Sequence, residues 1–368
     1  MPVFQTSRVP KRLLMTVETV GGCWHHAIHL AEALVRRGID VNLAVLGTPP
    51  DAAQSQDLDA LQGVKWTPIC PPYGAVSDDD DRRAVGLRLA RLANEEGCDL
   101  VQVHSPVLAA LAKWSVPVVG LAHQSLCRSS PAFEDTNSAR THVAMQEGLD
   151  ACDRVIVPSL SFAEELQQVF KIVSPVSVVR NGCPLQPMAA AKLAPFAFTA
   201  GRLWDEAKNC SLLDTVAAHL DFPFMAAGPR EAPNKREIAV RHLEYRGNLS
   251  KGRLQAYLAH RPVFVSAALS APYGHRVLEA AQAGCALVLS DIPIFRELWG
   301  GVAHFVEPCD AVGFVRSISE LARQPELRIR FGLAARCRAA DYSLKKMTDG
   351  MLDQYSAALS ARQALQAA

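Results

Sequence analysis

No two of the ten cysteines in this 368-residue chain stand in a C-x-x-C spacing. Scattered from Cys23 to Cys337, they suit neither a zinc ribbon nor a disulfide framework, and they predict reduced, mostly buried thiols in a cytoplasmic protein. Charge of one sign is also lacking. The 38 Lys and Arg against 37 Asp and Glu leave a formal net charge of +1, which excludes the footprint of a nucleic-acid binder or of a protein with a strongly acidic partner. The opening stretch MPVFQTSRVPKR has no apolar signal core, and no run approaches the roughly 18 apolar residues that a membrane-spanning helix needs. Repeats of roughly 20–50 residues and low-complexity segments are missing as well. What is present is ordinary for a globular protein, 49% hydrophobic and 20% charged, with length enough for two domains that each bury a core.

The chain reads as two successive α/β halves. RLLMTV (12–17) is a short apolar strand, and a loop carrying Gly21 and Gly22 follows it. HAIHLAEALVRRG then places Ala27, Ile28, Ala31, Leu34 and Val35 on one helical stripe, and DVNLAVLG returns as a strand. Strand, glycine loop, helix and strand open a doubly wound domain. Further strands end in HS (104–105) and HQS (123–125), and ACDRVIVPS and VSVVRNG complete about six strands by residue 182. Residues 183–195, CPLQPMAAAKLAP, have three prolines and no periodicity, the composition of a linker. Beyond it the pattern restarts with the strands FAFTAGR, FPFMAAG, PVFVSAAL, CALVLS and VAHFVEP, and two helices run to the end. The expected architecture is two Rossmann-like domains, 1–182 and 196–368, facing a cleft, with the last helix a candidate to return to the first domain. Ligands in such sheets bind at the carboxyl ends of strands. The helix with Arg82, Arg83, Arg88 and Arg91 is either a solvated face or a peripheral contact with anionic lipid.

The most informative stretch is SAPYGHRVLEAAQAGCALVLSD, residues 270–291. A Pro-Tyr-Gly turn leads into a helix from His275 that stops at Gly284, and a buried strand follows. A helix starting just after Gly274 offers free N–H groups and a positive dipole end, a site for phosphate, at His275 and Arg276. Glu279, one turn further on the same face, could accept hydrogen bonds from a diol; a surface glutamate on an ordinary crossover is the plainer account. Arg202 and Lys208, six apart across the turn in GRLWDEAKN, are either a solvated basic pair or a fork and a point charge converging on one dianion. Gly21 and Gly22 are either plain turn residues or a close backbone approach to a ligand. His123 ends a strand, where a neutral imidazole either caps the loop or steadies a hydroxyl or phosphate. His25, His26 and His29 share helix faces, yet the lack of a neighbouring carboxylate favours a hydrogen-bonded cluster over a metal site.

APYGHRVLEA resembles the E-G-F-G-L-x-x-L-E-A signature of the GT4 family of retaining glycosyltransferases, which have the GT-B fold. GGCWHHAIHLAEALVRRGIDV is similar to that family's first loop and helix, GLAHQS to its strand-end histidine motif, and GRLWDEAKN to its diphosphate-gripping Arg and Lys segment. VQVHS places His104 at a position where the family often has a histidine. YRGNLSKGRLQAYLA is similar to the segment bordering the nucleotide base, which implies base contacts for Arg246, Gly247 and Leu249. The resemblance spans roughly residues 12–359. It implies transfer of a sugar from a nucleotide diphosphate sugar to an acceptor hydroxyl with retention, without a metal or a resident cofactor. Gly21 and Gly22 would approach the diphosphate or the acceptor, Arg202, Lys208 and the helix start would hold the diphosphate, Glu279 the ribose and His123 the sugar. The acceptor stays open among saccharide, lipid-linked and small-molecule classes. Where the signature has its first glutamate this chain has Ala271, so the alternative is a homologue that binds a nucleotide sugar without transferring it.

Overall fold

The structure, a computed structural model, describes residues 9–19, 23–69, 79–110, 112–123, 136–185, 191–232 and 235–367. It divides into two compact units, one of Met1–Cys183 with Leu344–Ala368 and one of Pro184–Ser343.

The first unit runs β1 (Arg12–Glu18), α1 (Cys23–Val35), β2 (Asp40–Leu46), α2 (Ala52–Ala60), β3 (Val64–Ile69), α3 (Asp79–Glu95), β4 (Leu100–Val103), β5 (Val118–Leu121), α4 (Thr136–Ala151), β6 (Arg154–Val157), α5 (Leu160–Val169) and β7 (Val176–Val178). Its strands form one parallel sheet in the order β3-β2-β1-β4-β5-β6-β7. Both faces are covered, as a parallel sheet requires. Along β1 the side chains alternate: Leu13, Met15 and Val17 join one buried cluster with α1, whereas Leu14 joins the other with Val85, Leu89, Met145 and Leu166 from α3, α4 and α5. The strand β3 was not expected from sequence. Its apolar alternation is broken by the exposed Trp66 and by Pro68, and proline is tolerated there because β3 is an edge strand.

The second unit repeats the plan with β8 (Ala197–Ala200), α6 (Cys210–Ala217), β9 (Phe224–Ala227), β10 (Glu244–Tyr245), α7 (Lys251–Ala259), β11 (Val263–Ser266), α8 (His275–Gln282), β12 (Ala286–Ser290), α9 (Pro293–Trp299), β13 (His304–Val306), α10 (Ala311–Arg323) and α11 (Pro325–Ala339). The parallel order is β10-β9-β8-β11-β12-β13. Two Rossmann-like parallel-sheet units of this kind constitute the GT-B fold. In each sheet the strand order reverses beside the first strand, between β1 and β4 and between β8 and β11, and such switch points open the crevice where ligands bind.

Three helices, not the expected two, follow β13, because Pro325 starts a new helix directly after α10 ends. The third, α12 (Leu344–Ala367), packs in the first unit. Met347, Met351, Tyr355, Ala358 and Leu359 form its apolar stripe and lie in the cluster of α1 and β1. The Tyr355 hydroxyl donates to Gln102 Oε1 on β4, and Arg37 pairs with Asp349 at 2.7 Å.

Candidate functional site

In the second unit, β8 ends at Ala200, and Gly201 and Arg202 follow. Gly228, at the end of β9, comes so close that a Cβ on it would meet the Gly201 carbonyl oxygen at 1.8 Å. Only glycine permits the two strand ends to approach in this way. The turn after Arg202 is organised by Asp205, which caps a short 3-10 turn (Glu206–Lys208) by accepting from the Ala207 N–H at 3.1 Å. The same carboxylate accepts from Arg202 Nη2 at 2.7 Å, and the guanidinium also lies over the Trp204 ring. Lys208 ends this turn partly buried. Burial lowers its pKa; Asp205 acts against that, and the nearby Arg202 adds to it. Arg202 and Lys208 thus lie near enough for their charges to act on each other, a repulsion that an anion beside both would relieve.

The second element of the site leaves β11. The Leu269 N–H donates to the Ala207 carbonyl at 2.9 Å, which fastens this loop to the turn bearing Lys208. Ala271 and Tyr273 are buried, and Gly274 takes φ +81° as the N-cap of α8. A Cβ on Gly274 would meet the Phe295 ring at 2.7 Å, so backbone conformation and space both demand glycine. Glu279 accepts from Arg276 Nη1 at 2.6 Å on Oε2, and its Oε1 lies 4.0 Å from His275 Nε2. The three side chains that sequence placed on one face are thus in mutual reach. The guanidinium beside it orients the carboxylate.

The third element follows β10. Gly247 (φ +78°) accepts at its carbonyl from the Gly228 N–H at 2.9 Å, so this loop lies beside the ends of β8 and β9. Arg246 pairs with Glu244, and its buried Nε has no hydrogen-bond partner among the described residues. Leu249 is half-buried. Asp205 and Gly228 help build these loops but were missed by sequence reasoning. The D-x-A cap in DEAK was a legible signal for Asp205, whereas nothing local marks the approach of Gly228 to Gly201.

The remaining candidates stand in the first unit, at its own switch point. His104 follows β4 and is buried; its backbone N–H donates to Thr16 Oγ1 at 2.8 Å, and its Nδ1 is 2.7 Å from the same oxygen. On the other side of the ring, Nε2 lies 3.2 Å from Glu18 Oε1. His123, after β5, makes an edge-on contact with the His26 ring at 4.9 Å between centroids. Burial, and then the neighbouring His104, lower its pKa to about 4, so the ring is neutral at ordinary pH. His26 and His29 are buried, and Glu18 is a further polar group there that sequence reasoning missed. Among the described residues no group of three or more His, Cys, Asp or Glu is placed to hold a metal ion. Gly21 and Gly22 lie outside the described residues. No helix among those described is long and apolar enough to cross a membrane.

Comparison with known proteins agrees with this arrangement. The family model described as Glycosyltransferase Family 4 matches residues 20–187, and that described as Glycosyl transferases group 1 matches residues 190–338. A glycogen synthase of Mycobacterium tuberculosis is 24% identical over 383 aligned residues, covering 92% of either chain. Among solved structures, a sucrose-phosphate synthase of Thermosynechococcus elongatus superposes with a TM-score of 0.79 at 15% identity, over 97% of this chain and all of the other. HepE of Anabaena, solved in complex with UDP-glucose, gives a TM-score of 0.73 at 14% identity, over 95% of this chain and 99% of that one.

Proposed function

We infer that this chain, which belongs to the GT4 family of glycosyltransferases, moves a sugar from a nucleotide diphosphate sugar to an acceptor hydroxyl with retention at the anomeric carbon. The observation that carries this reading is the pair of loops at the β8/β11 switch point, tied through Leu269 and Ala207. One brings Arg202 and Lys208 together, and the other presents the start of α8 with Glu279 one turn above it. A diphosphate fits the first set and the helix-start amides. A ribose diol fits the carboxylate that Arg276 orients. The solved HepE complex contains a UDP-sugar, and the same class of donor suits these groups. Arg246, Gly247 and Leu249 would border the base.

In the reaction the bond between the anomeric carbon and the diphosphate oxygen breaks while the acceptor oxygen bonds the same carbon on the same face. The acceptor's proton passes to the departing diphosphate. Arg202, Lys208 and the amides at His275 and Arg276 stabilise the charge that develops on the leaving group, without a metal ion. His123, neutral at the working pH, donates to or accepts from a sugar hydroxyl. A second reading rests on Ala271, whose buried methyl offers no hydrogen bond where a donor-sugar contact would be expected: a protein that binds the nucleotide sugar but does not transfer it.

The test is a thermal-shift and turnover screen of UDP-, GDP- and ADP-sugars, each against its free nucleotide. Stabilisation by one nucleotide sugar with release of its nucleotide is the expected outcome, and Arg202→Ala should lower that release on the order of 100-fold. Stabilisation without release for any acceptor would instead support the binding protein. If no nucleotide sugar stabilises the chain, the donor-site reading is wrong.

A further inference from the structure

At the opposite edge of the second unit's sheet, a shallow depression is lined by Leu193, Arg261, Gly284, Arg328, Ile329 and Leu333. Arg261 precedes β11 by two residues and Gly284 precedes β12 by two, so this is where the strands begin. The donor groups stand where they end, roughly 13 Å away at about 3.3 Å per residue. Two guanidinium groups converge here. Arg328, on α11, is only 2% exposed, and the Arg261 charge acts directly on it. Arg261 itself is held at φ +48°, a left-handed conformation that a non-glycine residue adopts only under tertiary constraint.

Each guanidinium spends one terminal nitrogen on a backbone carbonyl: Arg261 Nη2 on Ala191 at 3.2 Å and Arg328 Nη1 on Ala194 at 3.1 Å. The Nε of each is buried, and neither has a hydrogen-bond partner among the described residues. Neither arginine forms an ion pair with any described carboxylate. Burial, followed by Arg261, lowers the Arg328 pKa, and among the described residues the one group that raises it is the Cys285 thiol. That thiol is itself kept neutral by burial, which pushes its pKa far up. Two like charges, one of them fully buried, thus lack a counter-charge among the described residues, an arrangement that is destabilising unless an anion supplies one. The rim offered to such an anion is apolar, with Ile329 and Leu333 both exposed.

We propose that Arg261 and Arg328 form a binding site for a phosphate monoester, distinct from the nucleotide-sugar site. The depression is shallow, about 10 Å³, room for little more than one water-sized group, so a single phosphate oxygen would enter beside the two guanidinium groups while the rest of the ester rests on Leu193, Ile329 and Leu333 in solvent. A guanidinium pair is the usual partner of a dianionic phosphate, and an apolar rim favours an ester over the bare ion.

Titration of the full chain with inorganic phosphate and with glycerol 3-phosphate, at constant ionic strength and read by calorimetry and thermal shift, tests this. Saturable binding is expected, tighter for the ester. Arg261→Gln and Ile329→Glu should each weaken it at least ten-fold, the second by supplying a competing carboxylate at an exposed position without disturbing Arg328. Arg202→Ala should leave it unchanged. Binding lost in Arg202→Ala but intact in Arg261→Gln and Ile329→Glu would place the anion at the donor loops and overturn the proposal, as would the absence of saturable binding. Vesicles containing phosphatidic acid form the last arm. Capture by them that depends on Arg261 identifies the ester as a lipid headgroup, and binding of glycerol 3-phosphate without capture identifies it as soluble; capture indifferent to both variants, with no binding of soluble phosphate, refutes the site.

Discussion

Individual side chains here are tuned by burial more than by ion pairs. Lys208 and His123 both have pKa values lowered chiefly by desolvation, and the proposed function uses them in opposite ways. A lysine that is costly to keep charged and crowded by Arg202 binds a dianion more strongly than a solvated one, because the anion repays both penalties. A histidine that stays neutral can exchange hydrogen bonds with a sugar hydroxyl without drawing the diphosphate to itself. The His123 shift has a consequence for stability. An unfolded chain takes up this proton near pH 6.5, whereas the folded chain resists it until about pH 4. Between those values the unfolded state binds more protons, so stability falls as pH drops through the window. His304, also lowered by burial, acts in the same direction. Denaturant titrations at pH 4.5 and 7 should therefore show a smaller difference for His123→Gln than for the unchanged protein; an equal difference would show that this imidazole is not shielded.

At the scale of elements, the proposed function depends on how two strand–loop–helix crossovers are terminated. The loop from β11 to α8 turns at Gly274, whose positive φ and contact with Phe295 leave no room for a side chain. Gly274→Ala should cost roughly 1–3 kcal/mol of stability through backbone strain and displacement of the ring. Because it re-aims the first turn of α8, it should also raise the dissociation constant for the stabilising nucleotide; a variant that loses stability but keeps full affinity would remove α8 from the site. Much of this was legible beforehand. The run from Pro272 to Gly284 has turn residues at one end and a helix stop at the other, and Arg202 and Lys208 were readable from their spacing. Asp205 was legible only as a turn residue, since its bond to Arg202 depends on how the turn closes. The strand β3 escaped notice because edge position, not apolar alternation, sets its composition.

For the whole molecule, the last helix matters most. It belongs to the unit that holds the first strand, although residues 184–343 intervene, so that unit is completed only once α12 has been made. Met347, Met351 and Tyr355 are at most 1% exposed within its core, and their loss would uncover a large apolar face on α1 and β1. A chain ending at Ser343 should lose hydrogen-exchange protection throughout β1, β2 and α1 while α8 to α11 keep theirs; uniform protection would show that α12 is dispensable. The sequence by itself determined the class of the protein: two parallel α/β units, the charged loops after β8 and β11, and the glycines that shape them, because periodicity, turn chemistry and motif spacing are local properties of the chain. Tertiary structure alone decided which groups meet. The approach of Gly228 to Gly201, the tie from Leu269 to Ala207, the return of α12, and the confrontation of Arg261 with Arg328 join residues far apart in the chain, and only the packing of the finished sheets sets such distances.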